Sequence, residues 1–365
     1  MTQHFDVVVF GGGPAGSSAA IALLQNGYSV ALIEKTDFTE IRIGETIQPQ
    51  TSLLLKELKI TEEIFIPHLC AHAIQSSWGE TSLKENNFLF NPFGQSWHLN
   101  RIKFDQQLIS YAEKAGAQIH LRSNIEAVDE SGTKQWIIRF LSKGNEKIIQ
   151  GRFIVDATGR QAFLSRKRGG KRRDIDHLIG LISIREDYIQ NKNTNYTLVE
   201  SAQNGWWYSA DTPGKRMVIV FMTDADLYKK ENSPSENFFL QSLSKTKYTN
   251  KRCSGFSTDK VIVRAANSYM MTKTHGYNWM AIGDAAMAFD PLSSQGIYKA
   301  IKSGLGAANI INEHFSGDSF ALEKYSLQLN AVFEKYLLQR KLYYSQEKRW
   351  TQSLFWKRRQ AAVDF

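Results

Sequence analysis

Three glycines and one acid set the first chemistry open to this chain. Gly11, Gly13 and Gly16 fall in the run GGGPAG with Pro14 and Ala15, and Glu34 follows 18 residues after Gly16. The first glycine permits a tight strand-to-helix turn, the second lets a pyrophosphate approach bare backbone, and the third lets the helix pack close to the strand. The helix behind them turns its free N–H groups and positive dipole end towards phosphates. An acid at the position of Glu34 accepts hydrogen bonds from an adenosine ribose and disfavours a 2′-phosphate. The pattern therefore points to a dinucleotide such as FAD or NAD rather than NADP.

Further segments join polar types to turns. Glu45 and Thr46 lie in IGETIQP. Asp156-Ala157-Thr158-Gly159-Arg160 and Gly283-Asp284-Ala285-Ala286 each end an apolar run, and Pro291, Ser294, Gln295 and Gly296 precede a long helical pattern. A small-residue turn at a strand end brings backbone close to a ligand, although an aspartate there also serves as a cap. Trp206, Trp207 and Tyr208 could line an aromatic pocket; alternate strand residues face opposite sides, so one of the two tryptophans is expected in a core. No Ser/His/Asp set or carboxylate pair is visible, and the histidine spacing suggests no metal site.

These residues need elements to hold them. Apolar, β-branched Val7 to Phe10 reads as a buried parallel strand, followed by a helix through Ala19 to Leu24 and a second strand from Ser29 to Ile33. A helix is expected around Leu53 to Leu58 and another from Gln106 to Lys114. Strands are expected at 118–121, 136–141, 153–155, 179–184, 196–200, 205–210, 217–223 and 279–282, and helices at 237–244 and 297–315. Residues 73–98 read as a small antiparallel layer. With no Gly/Ser linker, the two layers interleave: 1–72, 98–173 and 262–318 form a discontinuous cofactor domain, 73–97 and 174–261 a β-rich substrate domain, and 319–365 a C-terminal helical segment.

The 365 residues carry a formal charge of +9, with 42% apolar and 22% charged residues, values ordinary for a globular protein. No apolar run reaches the length of a membrane span, and the first strand starts too early for a signal peptide, so a cytoplasmic location without membrane attachment is expected. Cys70 and Cys253 read as free, buried thiols. Basic residues cluster at Arg166 to Arg173 and in the tail, at Lys348, Arg349, Lys357, Arg358 and Arg359. Without a nucleic-acid module, they suggest solvated loops or a docking face for an acidic protein rather than nucleic-acid binding. With the 166–173 run, Trp350, Phe355, Trp356, Arg358 and Arg359 could anchor a protein substrate; for Trp350 and Trp356 the alternative is a clamp holding the last helix to the body.

Taken together, GGGPAG with Glu34, DATGR and GDAAMAFDPLSSQG resemble the FAD-dependent monooxygenases of the aromatic-hydroxylase fold. The resemblance implies an α/β fold: a Rossmann-like FAD-binding domain of the aromatic-hydroxylase or glutathione-reductase type, interleaved with a β-sheet substrate domain. It implies FAD contacts from Gly11, Gly13, Pro14, Ala15, Gly16, Glu34, Lys35, Glu45 and Thr46 in the first third of the chain. Arg101, Asp156, Ala157, Gly159, Gly283, Asp284 and Pro291 would follow, with Ser294, Gln295 and Gly296 at the flavin's pyrimidine edge.

Within that fold, GETIQP and NGWWYSA resemble the flavin-dependent halogenase branch. The WxWxIP segment is matched only in part, and no lysine lies between Lys59 and Lys84, the interval where halogenases place theirs. The tail YYSQEKRWTQSLFWKRR, with the GET and WWYSA segments, resembles the flavoproteins that mature tryptophylquinone enzymes: lysine ε-oxidase, glycine oxidase and quinohemoprotein amine dehydrogenase. That resemblance implies hydroxylation of a tryptophan in a precursor protein, with electrons from NAD(P)H or a flavin reductase. Glu45, Trp206 and Trp207 are the candidate catalytic residues. Two alternatives stay open: a small-molecule enzyme of the halogenase or geranylgeranyl-reductase type, and a flavin-bearing maturation chaperone without catalysis.

Overall fold

A computed structural model of the chain describes residues 2–40, 42–132, 135–186, 195–258 and 260–361. The ends of the expected first domain and of the helical tail, Met1 and 362–365, lie outside the described residues, as do 187–194 of the substrate layer.

The cofactor half is built on a parallel stack. Strand Gln3–Phe10 pairs in parallel with Val30–Ile33 on one side and Asn145–Asp156 on the other; Gln118–His120 and Trp279–Ala281 extend the stack outward. Val7, Val8, Val9 and Phe10 are wholly buried, as a parallel strand covered on both faces requires. The helix Pro14–Gln25 packs against Gly296–Phe315. Gly304 sets their spacing: a Cβ there would lie 2.6 Å from the Ala15 carbonyl oxygen and 2.7 Å from the Ala19 nitrogen. Two details differ from expectation. The helix expected from Gln106 begins at Arg101, where the Asn100 side chain accepts from the Lys103 N–H as N-cap. Strand Ser123–Glu130 was not anticipated, because its largely polar sequence lies at the margin of the sheet.

The second sheet has seven strands in the order 262–265, 178–185, 216–224, 205–212, 196–202, 73–77 and 84–87, all antiparallel except the pair 196–202 and 73–77. The short strand Ile262–Ala265 belongs here, although the expected boundary put it with the cofactor half. Ser96–His98 leaves this layer and pairs instead with Thr46–Ile47 and Leu69–Ala71. One face of the large sheet carries Trp207 and Phe221 towards Phe239 of helix Ser235–Ser244; the other carries Trp206, Val220 and Met222.

The tail is a clamp. Helices Ala321–Ser345 and Leu354–Gln360 bring Trp356, wholly buried, edge-on to Trp78 at 5.3 Å between ring centroids. Arg359 is buried and donates to Asp224 at 2.6 Å; Arg358 reaches Asp224 and Asp226 at 2.8 and 2.7 Å, and Arg349 pairs with Glu347. Arg359 is therefore no docking anchor, because its charge is spent inside the protein, whereas Arg358 is paired at the surface. Cys253 is a buried free thiol, whereas Cys70 is only partly buried. Among the described residues no helix is long and apolar enough to cross a membrane.

Candidate active site

A cavity of about 630 Å³ lies between the glycine turn and the inner face of the large sheet. Gly11 adopts φ +95°, and a Cβ on it would come within 2.4 Å of the Ala157 carbonyl oxygen. A Cβ on Gly16 would sit 1.9 Å from the Gly11 oxygen, and one on Gly283 2.9 Å from the Ala15 Cβ. Three segments far apart in the chain therefore meet at one turn, and each meeting point needs glycine. Gly13 differs: a Cβ there would have only Arg42 Nη1 nearby, at 3.9 Å, leaving the helix end open to a ligand.

The donors around that opening suit a dinucleotide. The helix Pro14–Gln25 has no side-chain cap and no acid in its first turn, so its positive end is uncompensated. Arg42 stands beside it, 3.1 Å from Asp105 and 3.7 Å from Glu34. Glu34 accepts from the Gly12 N–H at 2.7 Å and from Thr36 N and Oγ1 at 2.9 and 2.7 Å, and still borders the cavity with Lys35. A second uncapped helix start, at Gly296, faces the cavity behind Ser294, which adopts the left-handed φ of +49°.

Other expected residues take varied places. Ala157 and Gly159 line the cavity, but Asp156 is fully buried behind them. Its oxygens accept from Thr158 N and Oγ1 and from the Leu164 and Ser165 N–H groups, so it shapes the turn and does not face a ligand. Gly16, Gly283 and Gln295 likewise stand behind the lining. Asp284 faces the cavity with Pro291. Burial works to raise its carboxyl, but Lys299, 2.8 Å away, outweighs this and holds it below its ordinary value. Arg101 spans Asp105 and the Ile43 and Gly44 carbonyls, at 3.1, 2.6 and 3.1 Å, and so fixes the loop that carries Glu45.

Glu45 lines the cavity, with its side-chain Oε2 buried and, among the described residues, unpartnered. Burial pushes its carboxyl up to about 7, against the opposing pull of Arg101. Next to it, Thr46 Oγ1 hydrogen-bonds the Tyr208 hydroxyl at 2.8 Å and the Thr197 hydroxyl at 3.1 Å. Thr197 in turn meets His98 Nε2 at 2.9 Å. Burial lowers the His98 ring to about 3, so it is neutral at pH 7.

The two tryptophans part company. Trp206 lines the cavity with Tyr208, Ile182 and Met222, and its Nε1–H donates to Tyr344 Oη, which donates to Asp290. Trp207 is fully buried on the opposite face, stacked on Phe221 at 4.7 Å and edge-on to Phe239 at 5.0 Å. The period-two alternation of the strand removes it from the candidate catalytic residues. Arg42, Lys299 and Tyr344 were missed. Each is an ordinary residue type whose place depends on contacts across the fold; a lysine on an otherwise apolar helix face was the one available hint.

Comparisons with known proteins agree with this geometry. A relative from Marinomonas mediterranea, the putative FAD-dependent oxidoreductase LodB, is 28% identical over 371 residues, covering 98% of each chain. The solved myxobacterial chondrochloren halogenase CndH superposes with a TM-score of 0.87 at 22% identity, over 99% of this chain and 86% of that one. The peptidyl tryptophan dihydroxylase QhpG, essential for tryptophylquinone cofactor biogenesis, superposes with a TM-score of 0.82 at 22% identity, over 99% and 80%. The family described as FAD binding domain matches residues 4–339. Uncapped helix ends that donate N–H groups, a glycine opening and an accepting acid at the end of the second strand suit such a cofactor, and the chain belongs to this FAD binding domain family, as a flavin-dependent oxidoreductase of the monooxygenase kind.

Proposed function

We propose that this flavoenzyme hydroxylates a tryptophan side chain of a precursor protein, a step in building cysteine tryptophylquinone in an oxidase or dehydrogenase. The observation that carries the reading is the make-up of the cavity wall. Trp206, Tyr208, Ile182, Val220 and Met222 offer an apolar, aromatic surface to an indole, and among the described residues the lining includes only two lysines. Lys35 adjoins Glu34 at the adenosine end, and Lys299 Nζ is taken up by Asp284 and the Met287 carbonyl. Lys299 is thus engaged and Lys35 stands on the exposed side beside Glu34, away from the Trp206 and Tyr208 wall, which counts against halogenation. The resemblance of the GET, WWYSA and tail segments to tryptophylquinone maturation flavoproteins supports the same choice.

FAD, when bound and reduced, supplies an electrophilic oxygen from dioxygen. One oxygen atom enters the indole ring and the other leaves as water, with two electrons from NAD(P)H or a flavin reductase. The protein's part is to place the ring and exclude water. Trp206 and Tyr208 would hold the indole, Arg42 and the two helix ends would hold the cofactor's phosphates and flavin edge, and Glu45 would take or return a proton at the wall.

The test is the intact mass of a candidate precursor oxidase expressed with and without this protein. A gain of oxygen localised to tryptophan, lost with Gly13→Glu, supports the proposal. An unmodified precursor beside FAD-loaded, reducible protein refutes it and favours a small-molecule substrate. Oxygen-dependent NAD(P)H consumption stimulated by the precursor excludes a non-catalytic chaperone.

A further inference from the structure

The strand Ile262–Ala265 ends the seven-stranded sheet. One edge pairs antiparallel with Leu178–Arg185, from Ile179 opposite Ala265 to Ile182 opposite Ile262; among the described residues no strand pairs with the other edge. Val263, Arg264 and Ala265 are exposed, and Arg264, Ala265 and Ala266 border the cavity. The strand contains no proline that would block a further strand, and an unpaired edge is a template for one.

The surroundings select the kind of strand. Arg160 also borders the cavity, and its Nη2 donates to the Asn267 carbonyl at 2.7 Å, three residues past Arg264. Arg172 bonds the Arg160 carbonyl, and both guanidiniums lie over the Tyr269 ring, at 5.0 and 4.5 Å. Arg168 has Glu130 as a partner at 3.3 Å. Among the described residues Arg160, Arg172, Arg173 and Arg264 have no carboxylate in ion-pair range. A second copy of this chain would set arginine against arginine across such an edge, which disfavours self-pairing.

We propose that this edge captures an extended, acidic polypeptide segment as an added strand, whose leading residue then enters the cavity beside Trp206 and Tyr208. The inference rests on the protein-substrate reading above and adds how that substrate is held: main-chain pairing supplies affinity whatever the sequence, and the arginines select acidic flanks.

The probe is a short fluorescein-labelled peptide of alternating threonine and valine with one tryptophan and a terminal run of glutamates. Its binding to the FAD-loaded protein is read by anisotropy, without turnover. The expected result is binding about tenfold tighter than that of the matching lysine-ended peptide, with the preference abolished or reversed in Arg172→Glu and Arg264→Glu. N-methylation of alternate peptide amides should weaken binding about tenfold in one phase and little in the other, as a strand paired along one edge requires. Circular dichroism checks that the variants fold. No binding, binding indifferent to charge and N-methylation, or dimerisation of the protein through this edge overturns the proposal. Failure here leaves oxygen gain by the precursor to be judged separately, and an unmodified precursor does not by itself remove peptide binding.

Discussion

Replacing Glu45 with glutamine isolates the cost of a charge in the cavity wall. In the folded protein burial raises this carboxyl from 4.5 to about 7; in the unfolded chain it titrates at its ordinary value. Between those two values the folded state holds a proton that the unfolded state has lost, so this group's contribution is full below about pH 4.5. It declines as pH rises through about 7 and is flat beyond. At 1.36 kcal/mol per pH unit the loss amounts to ~3 kcal/mol. Glutamine keeps the shape of the neutral acid and has nothing to titrate. Urea unfolding midpoints of the two proteins, compared at steps from pH 5 to 8, should therefore diverge, with Glu45→Gln gaining on the parent by up to ~3 kcal/mol at the alkaline end. Reading the midpoint difference as a free energy takes one cooperative transition with the same denaturant slope in both proteins, which coincident fluorescence and circular-dichroism curves check. Parallel pH dependences in the two proteins would falsify the assignment of a buried, protonated Glu45. If Glu45 also exchanges the proton in turnover, a kinetic limb near pH 7 in the parent should vanish in the variant.

Other substitutions test the remaining parts of the site. Gly16→Ala places a Cβ 1.9 Å from the Gly11 carbonyl oxygen; forcing the turn apart should cost roughly 1–3 kcal/mol and lower the FAD retained on purification, read from flavin absorbance. Trp207→Ala should cost about 3–5 kcal/mol of stability through the cavity it leaves in the core, with little change in the flavin spectrum. Trp206→Phe should instead alter flavin fluorescence and precursor modification while costing less stability. Asp224→Ala leaves Arg359 buried without its acid, and thermal or urea unfolding should show a loss of about 3–5 kcal/mol. Arg359→Met with Asp224→Asn should recover part of it.

Much of the cofactor side was legible because its constraints are local. A strand, a glycine turn, a helix and a second strand ending on an acid lie within thirty-odd residues, and the turn itself dictates where a Cβ is forbidden. The inner wall was less legible. The WWYSA segment announces a strand, but which tryptophan faces the cavity depends on which face of the sheet meets the cofactor half, and that is fixed by pairing with strands elsewhere in the chain. The tail shows the same limit: Arg358 and Arg359 look like surface charge until Asp224 and Asp226, more than 130 residues earlier, are brought against them.

The sequence by itself thus determined the FAD-type fold, the glycine turn at the start of the first helix, the acid that ends the second strand and the resemblance to tryptophan-modifying flavoproteins. Short-range sterics and hydrogen bonding act on residues a few positions apart and so are written in order along the chain. Tertiary structure alone decided that Trp206 rather than Trp207 faces the cavity, that Glu45 sits where its charge is costly, that the tail is a clamp, and that Ile262–Ala265 ends the large sheet among the described residues, beside several arginines. Each depends on burial and on partners distant in sequence, which chain order does not encode residue by residue.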